Sequence, residues 1–304
     1  MRTTKLIFGI FILSLMAPAS VFSQFIKTPS WILYEQGNAF FSIKEYGPAL
    51  KKYQEALAAF AVFPEAEIGI GDIYLQEGEL DLAVKQYKKA YELKNSFYIP
   101  EMKYEALYKL AGIYETTQMY KPFEDALKSV ILDDKNFNQP STSRLREQFE
   151  SNYYGKGLDF VLKVYRFPER FPAEAHSKLG WFYYRSGNYT TSVLHLLYAV
   201  VYKISDAGQY VADMDVDFQF TTLGDFLVVV NNDSFLIDYF KTSGVFRDLY
   251  YLAGSAFKVG FPAHARMIWQ LLSRSSLAGS YADLSARQLR SPWTEPLLVQ
   301  PVKR

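Results

Sequence analysis

The chain has 304 residues, is 49% hydrophobic and 21% charged, and carries a formal net charge of +1. That balance supplies ample material for a continuous core, and near-neutrality argues against a nucleic-acid partner, which rewards a basic face. The absence of cysteine excludes disulfides, a thiolate metal site, a cysteine nucleophile and a lipid-modified cysteine, so the chain must hold together by packing alone.

The first residues read as a leader. Arg2 and Lys5 precede an apolar run over 6–16, and Pro18 and small residues follow, the three-part pattern of a secretory signal peptide. Cleavage is expected after Ser23, with Ala19 as the alternative site. An uncleaved anchor stays open, although eleven apolar residues fall short of the ~20 that span a bilayer as a helix. Removing residues 1–23 takes away the charges of Arg2 and Lys5, so +1 becomes −1. The expectation is an exported protein of the bacterial periplasm.

Helices alternate with short turns from there on. Thr28-Pro29 starts a first helix over 30–43, and Pro48 opens its partner over 48–61. Thr suits a cap and Pro the first helical turn. A second pair runs from Pro64 to residue 76 and over 81–93, with Gly78 in the turn. Gly37, Ala49, Tyr53 and Ala56 recur 34 residues later as Gly71, Ala83, Tyr87 and Ala90. A glycine inside a helix costs roughly 1 kcal/mol against Ala. Two such glycines in one phase imply a shared steric demand, a close approach between antiparallel helices with a ring filling the gap. This pattern resembles the tetratricopeptide repeat. The resemblance implies an all-α fold, a right-handed superhelix of stacked antiparallel helix hairpins.

Later units keep the phases unevenly. In a third, Tyr108, Leu110, Ala111, Tyr114 and Tyr120 keep the first-helix and turn phases, and Phe123, Leu127 and Val130 replace the small-aromatic-small trio. A weak fourth pair is expected near 142–152 and 157–167, and a break into two lobes near 134–156 is left open. The fifth is strong, with Leu179, Gly180, Tyr183, Gly187, Tyr189, Ser192, Leu196 and Ala199. A poor unit surrounds Gly224 and Phe240. A fair one has Ala253, Gly254, Phe257, Gly260, Ala265, Trp269 and Leu272, and a helix near 281–290 caps the end. The expected organisation is a signal peptide over 1–23, N-terminal repeats over 24–134, a degenerate connector over 135–172, C-terminal repeats over 173–275, and a capping helix with a mobile tail over 276–304.

The resemblance also implies a concave face lined by the first helix of each pair. Aligned on the glycines, the first repeat presents Trp31, Tyr34, Asn38, Phe41 and Ser42, and the second Glu65, Ile68, Asp72, Leu75 and Gln76. The fifth presents Glu174, Ser177, Trp181, Tyr184 and Arg185. Such a surface suits a peptide or helix with apolar anchors and a few hydrogen bonds. The Lys-Asn-Arg clamp that some family members close on a terminal carboxylate is matched only at Asn38. Packing between repeats is the competing role for Trp31, Tyr34 and Trp181. The leading expectation is a non-enzymatic scaffold binding another envelope protein or peptide. The alternative is a small apolar ligand or lipid held in an aromatic-lined pore. Association with a membrane complex and self-association stay open, the latter because 206–238 holds seven Asp without Lys or Arg while 260–304 is basic.

No cofactor, metal or catalytic residue is expected. Asp213, Asp215 and Asp217 resemble half a calcium loop, but Phe218 stands where the turn Gly belongs and Gly224 where the closing Glu belongs. Gly155-Lys156-Gly157 lacks the strand and further glycines of a phosphate loop and reads as a turn. His176 and His195 can meet only as neighbours in one hairpin, and no nucleophile elbow or metalloprotease motif occurs.

Overall fold

A computed structural model of the chain describes residues 28–138, 143–167 and 169–294. The signal peptide expected over 1–23 lies outside the described residues, as does the tail from 295 onward, whereas 291–294, expected to be part of that mobile tail, are held on the fold by Gln288 and by burial of Thr294. Among the described residues the fold is all-α, and none of the helices is long and apolar enough to cross a membrane.

Five hairpins stack side by side into a superhelix: α1 (Ser30–Ser42) with α2 (Tyr46–Ala59), α3 (Pro64–Glu77) with α4 (Leu80–Glu92), α5 (Met102–Thr116) with α6 (Tyr120–Ile131), α9 (Phe171–Arg185) with α10 (Tyr189–Met214), and α13 (Val245–Lys258) with α14 (Pro262–Arg274). Two further pairs, α7 (Ser143–Lys156) with α8 (Leu158–Val164) and α11 (Leu223–Val230) with α12 (Ser234–Thr242), sit outside this stack. The final helix, α15 (Ser280–Arg290), packs on α14 as a cap.

The turn inside each stacked hairpin is the same device. Lys44, Gly78, Gln118, Gly187 and Gly260 each adopt positive φ. One residue further on, the N–H of Glu45, Glu79, Met119, Asn188 and Phe261 donates to the carbonyl five residues back, at 2.8–2.9 Å. This is the six-to-one closure of a Schellman motif, which satisfies carbonyls the helix end would leave orphaned. It also sets a common register. Counted from these turns, Gly37, Gly71, Ala111, Gly180 and Ala253 are equivalent, and so are Tyr53, Tyr87, Leu127, Leu196 and Trp269, all fully buried.

The helical glycines are explained by what stands opposite them. A Cβ on Gly37 would meet the Tyr53 ring at 2.5 Å, and one on Gly71 the Tyr87 ring at 2.6 Å. Gly69, which the echo does not single out, closes the other face of Tyr53 at 2.6 Å. Ala49 and Ala83 are fully buried beside these contacts.

Four expectations are corrected. The first helix begins at Ser30 after Pro29, with no side-chain cap from Thr28. Its partner begins at Tyr46 rather than Pro48, because the left-handed residue Lys44 already reverses the chain and Pro is tolerated within a first turn. The weak pair α7–α8 is not a stacked unit, and there is no break into lobes at 134–156. Helix α6 packs directly on α9, and Phe123, Leu127, Leu179 and Phe182 share one core. Finally, α10 runs fifteen residues past Ala199 to Met214. The extension is stabilised by burial of Val200, Val201, Tyr202 and Ile204. Gly155 and Lys156 complete α7, and Gly157, at φ 85°, turns the chain into α8.

Candidate functional site

The N-terminal half of the concave face is built on repeated hydroxyl–acceptor pairs. The Tyr53 hydroxyl donates to Asn38 Oδ1 at 2.8 Å, and one repeat later the Tyr87 hydroxyl donates to Asp72 Oδ1 at 2.6 Å. Asn38 and Asp72, both expected to face a partner, therefore also orient the rings that fill their hairpins. Lys109 Nζ reaches Asp72 at 2.7 Å and Glu105 at 3.5 Å. Tyr34 is half-buried among these groups, next to the ring of Phe63. Burial raises its hydroxyl pKa, and the carboxylates of Glu105, Glu35 and Glu65 push it the same way. Glu65 is buried. Its Oε1 accepts from the Tyr98 N–H at 2.6 Å, while its Oε2 has no hydrogen-bond partner among the described residues.

The remaining expected contact residues divide. Trp31 is 57% exposed, and Gln76 is exposed at the end of α3. Phe41 is half-buried against Tyr46. Ile68 is only 3% exposed and belongs to the core shared by α3 to α6, so it presents no surface to a partner. The physical reason is that α5, packed on the second hairpin, brings Tyr104 and Leu107 into the same core.

One opening on the face is not foreseen by the groove positions named from the sequence. Between α5 and the start of α9 lies an open cavity of about 480 Å³, lined by Glu101, Tyr104, Glu105, Tyr108, Lys109 and Phe171. Tyr104 stacks on Phe171 with ring centroids 4.2 Å apart. The Tyr108 hydroxyl donates to the Phe171 carbonyl and accepts from the Ala175 N–H at 3.1 Å. Glu105 and Tyr108 occupy the phases held by Trp31 and Tyr34 when counted back from the positive-φ residue Gln118. The sequence carries this phase in Tyr108, Leu110, Ala111 and Tyr114, but the other wall of the cavity, Phe171, comes from 63 residues further along the chain.

The C-terminal half is filled by the chain itself. The Arg185 guanidinium lies 4.5 Å from the Trp181 ring and that of Arg247 6.0 Å. Tyr184, placed on the surface by the sequence, is 5% exposed and packs on Tyr251 under Gly254. Thr294 closes over Gly254, and Gln288 holds both the N–H and the carbonyl of Trp293 at 2.8 Å. Beneath lies a buried polar cluster. Ser177 donates to Asp248 at 2.6 Å and accepts from Arg247 at 2.6 Å, and Lys203 Nζ reaches Asp248 at 2.6 Å.

A second buried network joins the two histidines. His176 Nδ1 lies 2.9 Å from His195 Nδ1, so one ring donates and the other accepts. His176 Nε2 meets Asp134 Oδ2 at 3.2 Å, and Tyr202 donates to Asp134 Oδ1 at 2.6 Å. Burial lowers the pKa of both imidazoles, and the His176 ring lowers that of His195 further. This network pins the 134–138 segment to α9 and α10 in the core.

Comparison with known proteins agrees with this geometry. A tetratricopeptide repeat family model matches residues 34–96. Over those residues the chain is similar to tetratricopeptide repeats. Hairpins of this family are protein–protein interaction scaffolds rather than typical enzymes. An uncharacterized protein of Treponema pallidum (strain Nichols) is 21% identical over 243 residues, which cover 79% of this chain and 65% of that protein. An uncharacterized protein of Borreliella burgdorferi is 24% identical over 276 residues, 82% of this chain and 85% of that one. Among solved structures, the crystal structure of yeast Tom70 covers 86% of this chain and 69% of its own, at 15% identity and a TM-score of 0.30.

Proposed function

We propose that this chain is a non-enzymatic scaffold of the bacterial cell envelope, exported through the signal peptide at 1–23. It binds an extended or helical segment of another envelope protein along α1, α3 and α5. The open cavity between α5 and α9 carries this reading. It offers Tyr108, at a groove phase, beside the stacked rings of Tyr104 and Phe171 as an apolar seat, whereas the C-terminal half of the same face is occupied by the chain's own side chains. The electrical character of the seat sets the partner's chemistry. Glu101 and Glu105 line it and Asp72 joins them through Lys109, while the other nearby cation, Lys103, lies 4.8 Å from the Tyr104 ring and is paired with Asp133 at 2.6 Å. A segment with an aromatic or aliphatic anchor flanked by Lys or Arg matches that surface. Exposed charges of this kind act mainly on association rate and salt dependence, while the buried anchor carries affinity.

The test is site-specific photo-crosslinking in native envelope extract. A photoreactive residue in place of Tyr108 should label discrete partners, one in place of the exposed Leu82 on α4 should not, and Glu105→Lys should abolish the labelling. Equal labelling from both positions, or labelling indifferent to Glu105→Lys, removes the groove as the contact surface.

A further inference from the structure

A second cavity lies away from the concave groove. It encloses about 570 Å³ between residues 163–167 and Arg170 on one side, and α10 and the 218–220 loop on the other. That volume falls within the roughly 300–1,000 Å³ of small-molecule sites. Its apolar wall is Phe167, Phe218, Phe220 and Ala212, and its cations are Lys163, Arg166 and Arg170 against one acid, Asp206.

The cations are not equivalent. Arg170 Nε pairs with Asp206 at 2.6 Å. Arg166 has no carboxylate partner among the described residues. Its guanidinium lies 5.1 Å from the Phe220 ring and gives one hydrogen bond, to the neighbouring Tyr165 carbonyl at 3.2 Å. A guanidinium has five N–H donors in a planar fork suited to an anion's two oxygens. Arg166 lines the cavity while remaining exposed to solvent, and partial burial lowers its pKa. An anion seated in the cavity would pair with it.

Gly208 stands inside α10 and lines the cavity, and a Cβ there would meet nothing within 4 Å, as is also true of the helical glycines Gly47, Gly112 and Gly155.

We propose that this cavity binds a single-chain anionic amphiphile, its head on Arg166 and its apolar chain along Phe167, Phe218 and Phe220 past Gly208. The site is independent of the protein-binding groove. Isothermal titration of the purified chain with decanoate, decyl phosphate and decanol, below their micelle concentrations, tests it. Decanoate or decyl phosphate should bind at least tenfold tighter than decanol, and whichever of the two binds tighter assigns the head as carboxylate or phosphate. Arg166→Met should weaken the anions at least tenfold and leave decanol unchanged. Gly208→Leu fills the space from a position with no neighbours, so it should abolish binding of all three while leaving the circular dichroism and the thermal midpoint at or above those of the parent. Binding that ignores the head charge, or that survives Gly208→Leu in a folded protein, overturns the proposal.

Discussion

Gly37→Ala is the sharpest test of the hairpin packing, because two opposing effects can be weighed from the structure. In an exposed helix the change gains about 1 kcal/mol of propensity. At Gly37 the new Cβ would lie 2.5, 2.6 and 3.1 Å from three carbons of the Tyr53 ring. The ring has nowhere to retreat. Gly69 closes its far face at comparable distance, and its hydroxyl is tied to Asn38 at 2.8 Å. Overpacking of a walled-in site typically costs about 1–3 kcal/mol, and the closeness of three atoms argues for the upper half of that range. The net expectation is a loss of about 1–2 kcal/mol. The third hairpin shows the compensated form, with Ala111 and Leu127 at the equivalent positions. Gly37→Ala combined with Tyr53→Leu should therefore lose less than the two single changes together, with a coupling of about 1 kcal/mol or more. Urea midpoints followed by far-ultraviolet circular dichroism give the numbers. Gly112→Ala in α5 is the control, since a Cβ there meets nothing within 4 Å. If Gly37→Ala stabilises as Gly112→Ala does, or if the double variant is simply additive, the steric argument is wrong.

Further outcomes follow from the turns and the buried charges. Lys44→Gly and Gln118→Gly relieve a side chain held at φ 64° and 57° and should each raise the stability by about 0.5–1 kcal/mol, read as a higher thermal midpoint; a lower midpoint contradicts the strain. Asp248→Ala strands Lys203, which is 5% exposed, and should destabilise by about 3–5 kcal/mol in chemical unfolding; a change under 1 kcal/mol would mean Lys203 finds another partner. Both buried histidines have folded pKa values below the ordinary 6.5. The unfolded chain therefore takes up protons first as pH falls, so stability should be flat above about pH 7. Below 6.5 it should decline, by up to about 1.4 kcal/mol per pH unit for each histidine that stays neutral when folded. His195→Phe should flatten that slope between pH 6.5 and 5, and an unchanged slope assigns it to other groups.

The hairpins themselves were legible because their requirement is local. Gly37 and Tyr53, or Gly71 and Tyr87, lie sixteen residues apart and meet within one helix pair, so a repeated small-aromatic pattern reports the contact directly. The register survived substitution for the same reason: Leu127, Leu196 and Trp269 fill the volume that Tyr fills in the first two units. Which pairs stack is a different matter. Nothing local distinguishes α7–α8 from a repeat, and only the direct packing of α6 on α9 shows that the pair has been set aside. The same holds for the concave face. Counting phases named Trp31 and Tyr34, but burial of Ile68 and Tyr184, the seat formed by Tyr104 and Phe171, and the closure by Thr294 depend on segments far apart in the chain. Short-range sterics determine a hairpin; the surface it finally presents is decided by whichever distant side chains arrive to cover it.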